Sequence, residues 1–140
     1  LVGAAVGLLK PGGFRVYGGE DICVPISRLP ETLRRIHSIA EKYGIICGIY
    51  GHVGDGNLHT GPVINMNNEV ELENVQKMID EIHELAIEME GTTTAEHGVG
   101  IVRAKYMERE HGAALDVMRA IKKALDPNNI LNPGKMALPN

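Results

Sequence analysis

The stretch IICGIYGHVGDGNLHTGPVI (45–64) decides how this chain reads. Two runs rich in β-branched and apolar residues, IICGIYG (45–51) and NLHTGPVI (57–64), flank an Asp-Gly pair, the signature of a β-hairpin. Asp-Gly favours a two-residue type I′ turn, because both central positions take φ > 0. With Asp55-Gly56 as that turn, Gly54 pairs with Asn57, Val53 with Leu58 and His52 with His59. Directly opposed residues share a face, their Cβ atoms about 4.5–5.5 Å apart. The two histidines then converge at the hairpin mouth, while Val53 and Leu58 turn to the other face, toward helices.

Working outward, EDICVPI (20–26) reads as a strand. Ser27 offers an N-cap with Pro30 in the first turn. Leu29, Leu33, Ile36, Ala40 and Tyr43 recur at helical spacing, and Gly44 supplies the stop. On the other side of the hairpin, Asn68 and Glu71 form a capping box. The helix behind it carries Val75, Met78, Ile79, Ile82, Leu85 and Met89 on one face and stops at Gly91. GTTTAE (91–96) is β-branched enough for a fourth strand. The order is β-α-β-β-α-β, the split, ferredoxin-like pattern. Two more helices are expected near 101–110 and 112–125, before the tail DPNNILNPGKMALPN; residues 1–19 read as a helix end and a Gly-rich loop. The expected fold is α+β: a ferredoxin-like antiparallel sheet covered by helices, with extra C-terminal helices, in one domain over 1–140.

Composition narrows the function. A length of 140 residues fits one domain. No apolar run approaches the roughly 18–20 residues that span a bilayer, which excludes an internal membrane segment. LVGAAVGLL (1–9) lacks a basic segment before it and Leu1 is not an initiator Met, so it reads as a cut through a longer protein rather than a signal peptide. A formal charge of −4 leaves no basic footprint for nucleic acid. One Phe and four Tyr are too few rings for a base-stacking platform. Cys23 and Cys47 lie in apolar strand-like runs and read as reduced core residues in a cytosolic setting. The unusual entry is glycine: Gly48, Gly51, Gly54, Gly56 and Gly61 crowd the hairpin.

That hairpin is the first candidate site. Two imidazoles at its mouth suit one metal ion, although two polar residues on the open face of a hairpin need no ligand at all. A phosphate cradle is the weaker reading, since there is no GxGxxG spacing and no following helix. GTTTAEHGVG (91–100) adds Glu96 and His97, which point to opposite sides if the strand continues through them. One can then be a carboxylate ligand and the other a base. The plain alternative is a surface ion pair of Glu96 with Arg103 or Lys105 beside a solvated His97. His37, His83 and His111 read as surface residues, and Met78, Met89, Met107 and Met118 as core filler. No Gly-x-Ser-x-Gly elbow, His-Glu-x-x-His or Cys-x-x-Cys is present, which removes the common hydrolase, metalloprotease and thiol-redox readings.

GHVGDGNLH (51–59), AEHGVG (95–100) and DPNNILNPGK (126–135), in that order, resemble the C-terminal (cap) domain of FAD-linked oxidases. The similarity runs from about Pro11 to Met136, and the nearest group is that of glycolate oxidase catalytic subunits and D-lactate dehydrogenases. The resemblance implies that His52, His59 and Glu96 hold a divalent metal, zinc or alternatively manganese or iron, and that His97 is the general base. The ordinary imidazole pKa of about 6.5 suits that proton step. It further implies that Asn57, and with them Asn132 and Lys135, approach the FAD. It implies oxidation of a small D-2-hydroxy acid, glycolate or D-lactate, to the 2-oxo acid with hydride transfer to flavin. The FAD-binding domain of the family precedes the cap and is absent from this chain, so the fragment alone is expected to be inactive. Partners implied are that domain and an iron–sulfur or other electron-acceptor subunit, which sets a cytoplasmic location or a peripheral one on the inner face of the membrane. Relatives acting on larger diacids carry a Lys where this chain has Gly19 and an Asn where it has Gly61; the family's substrate Arg falls before Leu1. Both departures point to a small substrate. Outside the resemblance, a non-enzymatic ferredoxin-like module binding a metal or small ligand remains the alternative, with a metal hydrolase third.

Overall fold

The computed structural model describes residues 8–17 and 21–138. The expectations for residues 1–7 and for Gly19 lie outside them. Its elements are, in order, β1 (Phe14–Arg15), β2 (Ile22–Cys23), α1 (Leu29–Tyr43), β3 (Ile46–Tyr50), β4 (Asn57–Ile64), α2 (Glu69–Glu88), α3 (Met107–His111) and α4 (Ala114–Leu125). They fall into two units, Leu1–Ala95 and Glu96–Asn140. None of the described helices is long and apolar enough to cross a membrane.

In the first unit β4 is the spine of the sheet, buried along its whole length. β3 pairs antiparallel with one edge of it. The other edge takes β2 at Leu58 and Asn57 and β1 at Ile64 and Val63. Beyond β2 the chain returns as a single antiparallel bridge, Cys23 to Thr92. The segments near 92, 22, 60 and 48 thus lie side by side in the order a split β-α-β-β-α-β fold requires, and the α+β expectation stands. Two details differ. Residues 91–96 do not form a full strand: Gly91 lies so close to β2 that a Cβ there would stand 2.1 Å from the Cys23 carbonyl oxygen. Past Thr92 the Thr94 hydroxyl and the Ala95 N–H turn to the Asp21 carboxylate instead. β1 is an extra strand, two residues long in a Gly-rich stretch, too short to leave a period.

One face of the sheet packs on α1 and α2 through Ile22, Val24, Leu58 and Ile64 against Leu29, Ile36, Val75, Met78, Ile79, Ile82 and Leu85, all buried. α1 starts one residue later than Ser27 implied. A 3-10 turn over Ile26–Arg28, closed by the Arg28 N–H on the Pro25 carbonyl at 2.7 Å, precedes it, and its start has no side-chain cap. Gly44 ends it at φ +65°. The Asn68 cap holds: its Oδ1 accepts from the Val70 and Glu71 N–H groups at 3.1 and 3.2 Å. Glu71 answers through the Asn68 side-chain amide, at 3.0 Å. Arg35 forks onto Glu88 at 2.7 Å for each bond, tying α1 to α2.

His83 is not a surface residue. It is fully buried, its Nδ1 2.8 Å from the Ile79 carbonyl. Its place one step past Ile82 and four past Ile79 continues the apolar face, which widens the buried stripe. Both cysteines are free and half-buried. Burial pushes the Cys47 thiol up to about 11. Burial, then the Asp21 and Asp55 charges, raise that of Cys23. Neither is a ready thiolate nucleophile.

The second unit has its own small core of Val99, Met107 and Leu115, with Met118 and Leu138 against it. The tail after α4 is held by Asp126, which accepts from Lys122 Nζ and from the Ile130 and Leu131 N–H groups, the latter two at 2.9 Å. The Lys122 bond first, then the backbone bonds, bring its pKa from the ordinary 3.8 down to about 2. A carboxyl lowered on folding stabilises above its unfolded pKa and loses that contribution as pH falls through its folded one. Acid unfolding followed by circular dichroism is therefore expected to show stability falling between pH 3.8 and about 2, with that slope reduced in Asp126→Asn.

Candidate functional site

The hairpin reaches the expected convergence by a different register. β3 and β4 pair Tyr50 with His59 and Ile49 with Thr60, two residues off the expected pairing. Of the expected turn pair only Gly56 has positive φ, +78°. Val53–Asp55 form a 3-10 turn instead, with Asp55 N–H and Asn57 N–H both donating to the His52 carbonyl, at 2.9 and 3.3 Å. The type I′ turn is lost because Asp55 keeps a negative φ and the chain spreads into a wider loop. Val53 consequently points to solvent, 54% exposed, while Leu58 is in the core. A shift of two preserves the face of every strand side chain. His59 stays on the open face, and His52 folds back over it from the loop. Their ring centroids lie 5.7 Å apart, edge to face. His59 is buried and His52 exposed.

The same face carries a string of rings. Tyr50, opposite His59, has its centroid 5.3 Å from it. The Arg15 guanidinium lies over Tyr50 and Tyr17, at 5.2 and 4.5 Å, and donates to the Tyr50 hydroxyl. Gly61 makes room for it: a Cβ there would stand 3.1 Å from Arg15 Nε.

Asp21 is the residue the sequence reading missed. It is fully buried and holds φ +82°, a region that non-glycine residues rarely occupy. Asn57 Nδ2 donates to one carboxylate oxygen at 2.9 Å. Thr94 Oγ1 and Ala95 N–H donate to the other, at 2.9 and 3.0 Å. A carboxylate oxygen lies within 4.8 Å of a ring nitrogen of His59. A signal was available: Ile22 and Val24 are core residues, so alternation puts an ionisable group at 21 on the histidine side. Asn57 opens β4, buried, and its Oδ1 has no hydrogen-bond partner among the described residues.

In the second unit Glu96 and His97 are exposed neighbours whose Oε1 and Nε2 approach to 3.4 Å. They do not alternate as strand residues would, because no strand continues through them; both side chains turn the same way. Arg103 Nη1 holds the loop by donating to the Gly98 carbonyl at 2.9 Å. Asn132, at φ +48°, and Lys135, whose Nζ donates to the Pro133 carbonyl at 3.2 Å, are exposed in the tail.

Asp21 and His59 offer ligand atoms within 4.8 Å of each other, and His52 is not part of that group. A metal–nitrogen bond of about 2.0–2.1 Å plus an imidazole radius of about 1.1 Å puts two ring centroids on one ion about 5–6 Å apart. The His52–His59 spacing of 5.7 Å falls in that range. The orphaned acceptor of Asn57 fits a bound group that donates an N–H or O–H.

Residues 10–136 match the family model of the FAD linked oxidases, C-terminal domain. The chain belongs to this family. This oxidase domain is 47% identical to the glycolate oxidase subunit GlcD of Bacillus subtilis over 118 residues, 84% of the chain and 25% of that protein. It is 40% identical to the mitochondrial D-lactate dehydrogenase [cytochrome] of Arabidopsis thaliana over 121 residues, 86% of the chain and 21% of that protein. A D-2-hydroxyglutarate dehydrogenase of Haemophilus influenzae is 35% identical over 140 residues, 99% of the chain and 13% of that protein. The chain thus spans a quarter or less of the length of these relatives. The structure of 4-ethylphenol oxidase from Gulosibacter chungangensis shares the fold, with a TM-score of 0.66 at 22% identity over 98% of the chain and 27% of that protein.

Proposed function

We propose that this domain supplies the substrate and metal side of a flavoprotein that oxidises a small D-2-hydroxy acid, glycolate or D-lactate, to the 2-oxo acid. The observation that carries it is the pair of imidazoles, 5.7 Å apart, on the open sheet face of a FAD-linked oxidase domain. His52, His59 and Glu96 hold a divalent metal, zinc or alternatively manganese or iron, since nitrogen and carboxylate donors suit all three. That ion would supply Lewis-acid polarisation of the substrate hydroxyl, and FAD, held mainly by the preceding domain of the full-length protein, would supply the hydride acceptor. His97 accepts the hydroxyl proton on its imidazole, with Glu96 beside it. Asn57 would face the flavin, with Asn132 and Lys135 as the tail residues toward it. An iron–sulfur or other acceptor subunit would take up the electrons.

Two things support a small substrate. The relatives with the highest identities above are named for glycolate and D-lactate. At Gly61 the space beside the backbone is taken by Arg15 rather than by a side chain from β4. Anaerobic addition of D-lactate or glycolate to the full-length protein is expected to bleach its flavin absorption, with D-2-hydroxyglutarate much slower. No bleaching by any 2-hydroxy acid would remove the proposal. Unimpaired flavin reduction in His97→Ala would remove the base from it.

A further inference from the structure

We infer that Asp21 is a positioning residue that fixes which atom of Asn57 faces the bound reactants. This rests on the oxidase reading above and adds a residue to it. An ionised carboxylate only accepts hydrogen bonds. Its two oxygens collect three donors: Asn57 Nδ2, the Thr94 hydroxyl and the Ala95 N–H. Asn57 must therefore turn its amide nitrogen toward Asp21 and its Oδ1 away. That Oδ1 is buried and has no partner among the described residues, an arrangement proteins rarely keep without use. The atom that meets it is an N–H or O–H donor or a cation. The same carboxylate anchors Thr94 and Ala95, the two residues that run into Glu96. Its backbone is held at φ +82°, and strained conformations of this kind persist where the surroundings over-determine them. Buried, strained and bonded by three donors among the described residues, Asp21 holds Asn57 and the Thr94–Ala95 segment in place without needing to touch substrate.

The isosteric change Asp21→Asn inverts this logic. The Ala95 N–H, which can only donate, favours the new amide oxygen on its side, and that turns the nitrogen toward Asn57. Asn57 must then flip and present an NH2 where it had presented an acceptor. In the full-length protein kcat/KM is expected to fall by roughly 10–100-fold, the range for lost supporting partners, mainly through kcat. Asn57→Asp in that background restores an outward oxygen and is expected to recover at least about tenfold of it. A purely structural role would give no such rescue. Asn57→Ala deletes the acceptor but leaves Asp21 its other donors, and is expected to match the loss. Wild-type kinetics in Asp21→Asn or in Asn57→Ala, or no gain in the double variant, overturns the inference. With 15N-asparagine labelling, the Asn57 NH2 protons should exchange slowly in the wild type and faster in Asp21→Asn; equal rates also overturn it. That measurement needs no turnover. An absence of hydroxy-acid oxidation in the wild type would therefore count against the proposed function while leaving Asp21 to be judged by exchange.

Discussion

His59→Ala in the full-length protein should lose its stoichiometric metal and more than about 100-fold of its hydroxy-acid oxidation, beyond the cost of losing an outer partner. His59 sits within β4, buried, between Tyr50 across the strand pair and His52 folded back from the loop. A donor on a central strand is held more rigidly than one on a loop, so the loss of His59 should cost more than the loss of a loop donor. His52→Ala should lose the metal as well, but with little effect on stability, because His52 is exposed. The buried ring of His59 also supports Tyr50, so its removal should lower the melting temperature too. Tyr50→Phe separates these effects: it keeps the ring beside His59 and removes only the hydroxyl that accepts from Arg15. It should retain metal. Elemental analysis of the three purified variants decides the matter, and full metal content in His59→Ala would remove the ligand assignment.

The sequence made the fold legible where periodicity was long. α1 and α2 carry apolar positions over several turns, and their faces, the Asn68 cap and the Gly44 stop are where the spacing put them. β4 matched its expected bounds, residue for residue. What failed was local. The observed loop keeps Asp55 at negative φ and pairs the strands two residues off the type I′ register, and nothing in Asp-Gly alone decides between them. The start of α1 moved because Pro25 closes a tight turn that Ser27 cannot disclose. The site was half legible. His52 and His59 belong to one hairpin, and the shift of two preserves the face they share, where a shift of one would have parted them. Asp21 escaped because its partners, Asn57 and the adjacent Thr94 and Ala95, come from two distant parts of the chain. Long-range hydrogen bonds leave no spacing to read.

Gly56→Ala tests whether the observed loop, rather than the expected turn, builds the site. Gly56 has φ +78°, and a Cβ on it would stand 2.1 Å from the Val24 carbonyl oxygen and 3.3 Å from its carbon. The Gly56 carbonyl also accepts from the Val24 N–H at 3.1 Å, so the two backbones are bonded together at that distance. Left-handed backbone costs about 1–2 kcal/mol for an ordinary residue. Overpacking adds about 1–3 kcal/mol, near the top of that range here, since a backbone oxygen cannot rotate away as a side chain can. A loss of about 3–5 kcal/mol is a large part of the roughly 5–15 kcal/mol by which a domain is stable. It should lower the melting temperature by about 10 °C or more. Gly54→Ala is the control: nothing lies within 4 Å of its Cβ and its φ is ordinary, so its stability should stay within about 0.5 kcal/mol of the wild type. If Gly56→Ala melts with the wild type, the contact between this loop and Val24 does not exist in solution. The placement of Asn57, the very next residue, would then have to be drawn again. A large drop confined to Gly56 instead ties the glycines of GHVGDGNLH to separate duties, one to backbone contact and another to mere chain length, and fixes Asn57 and His59 through the strand that Gly56 begins.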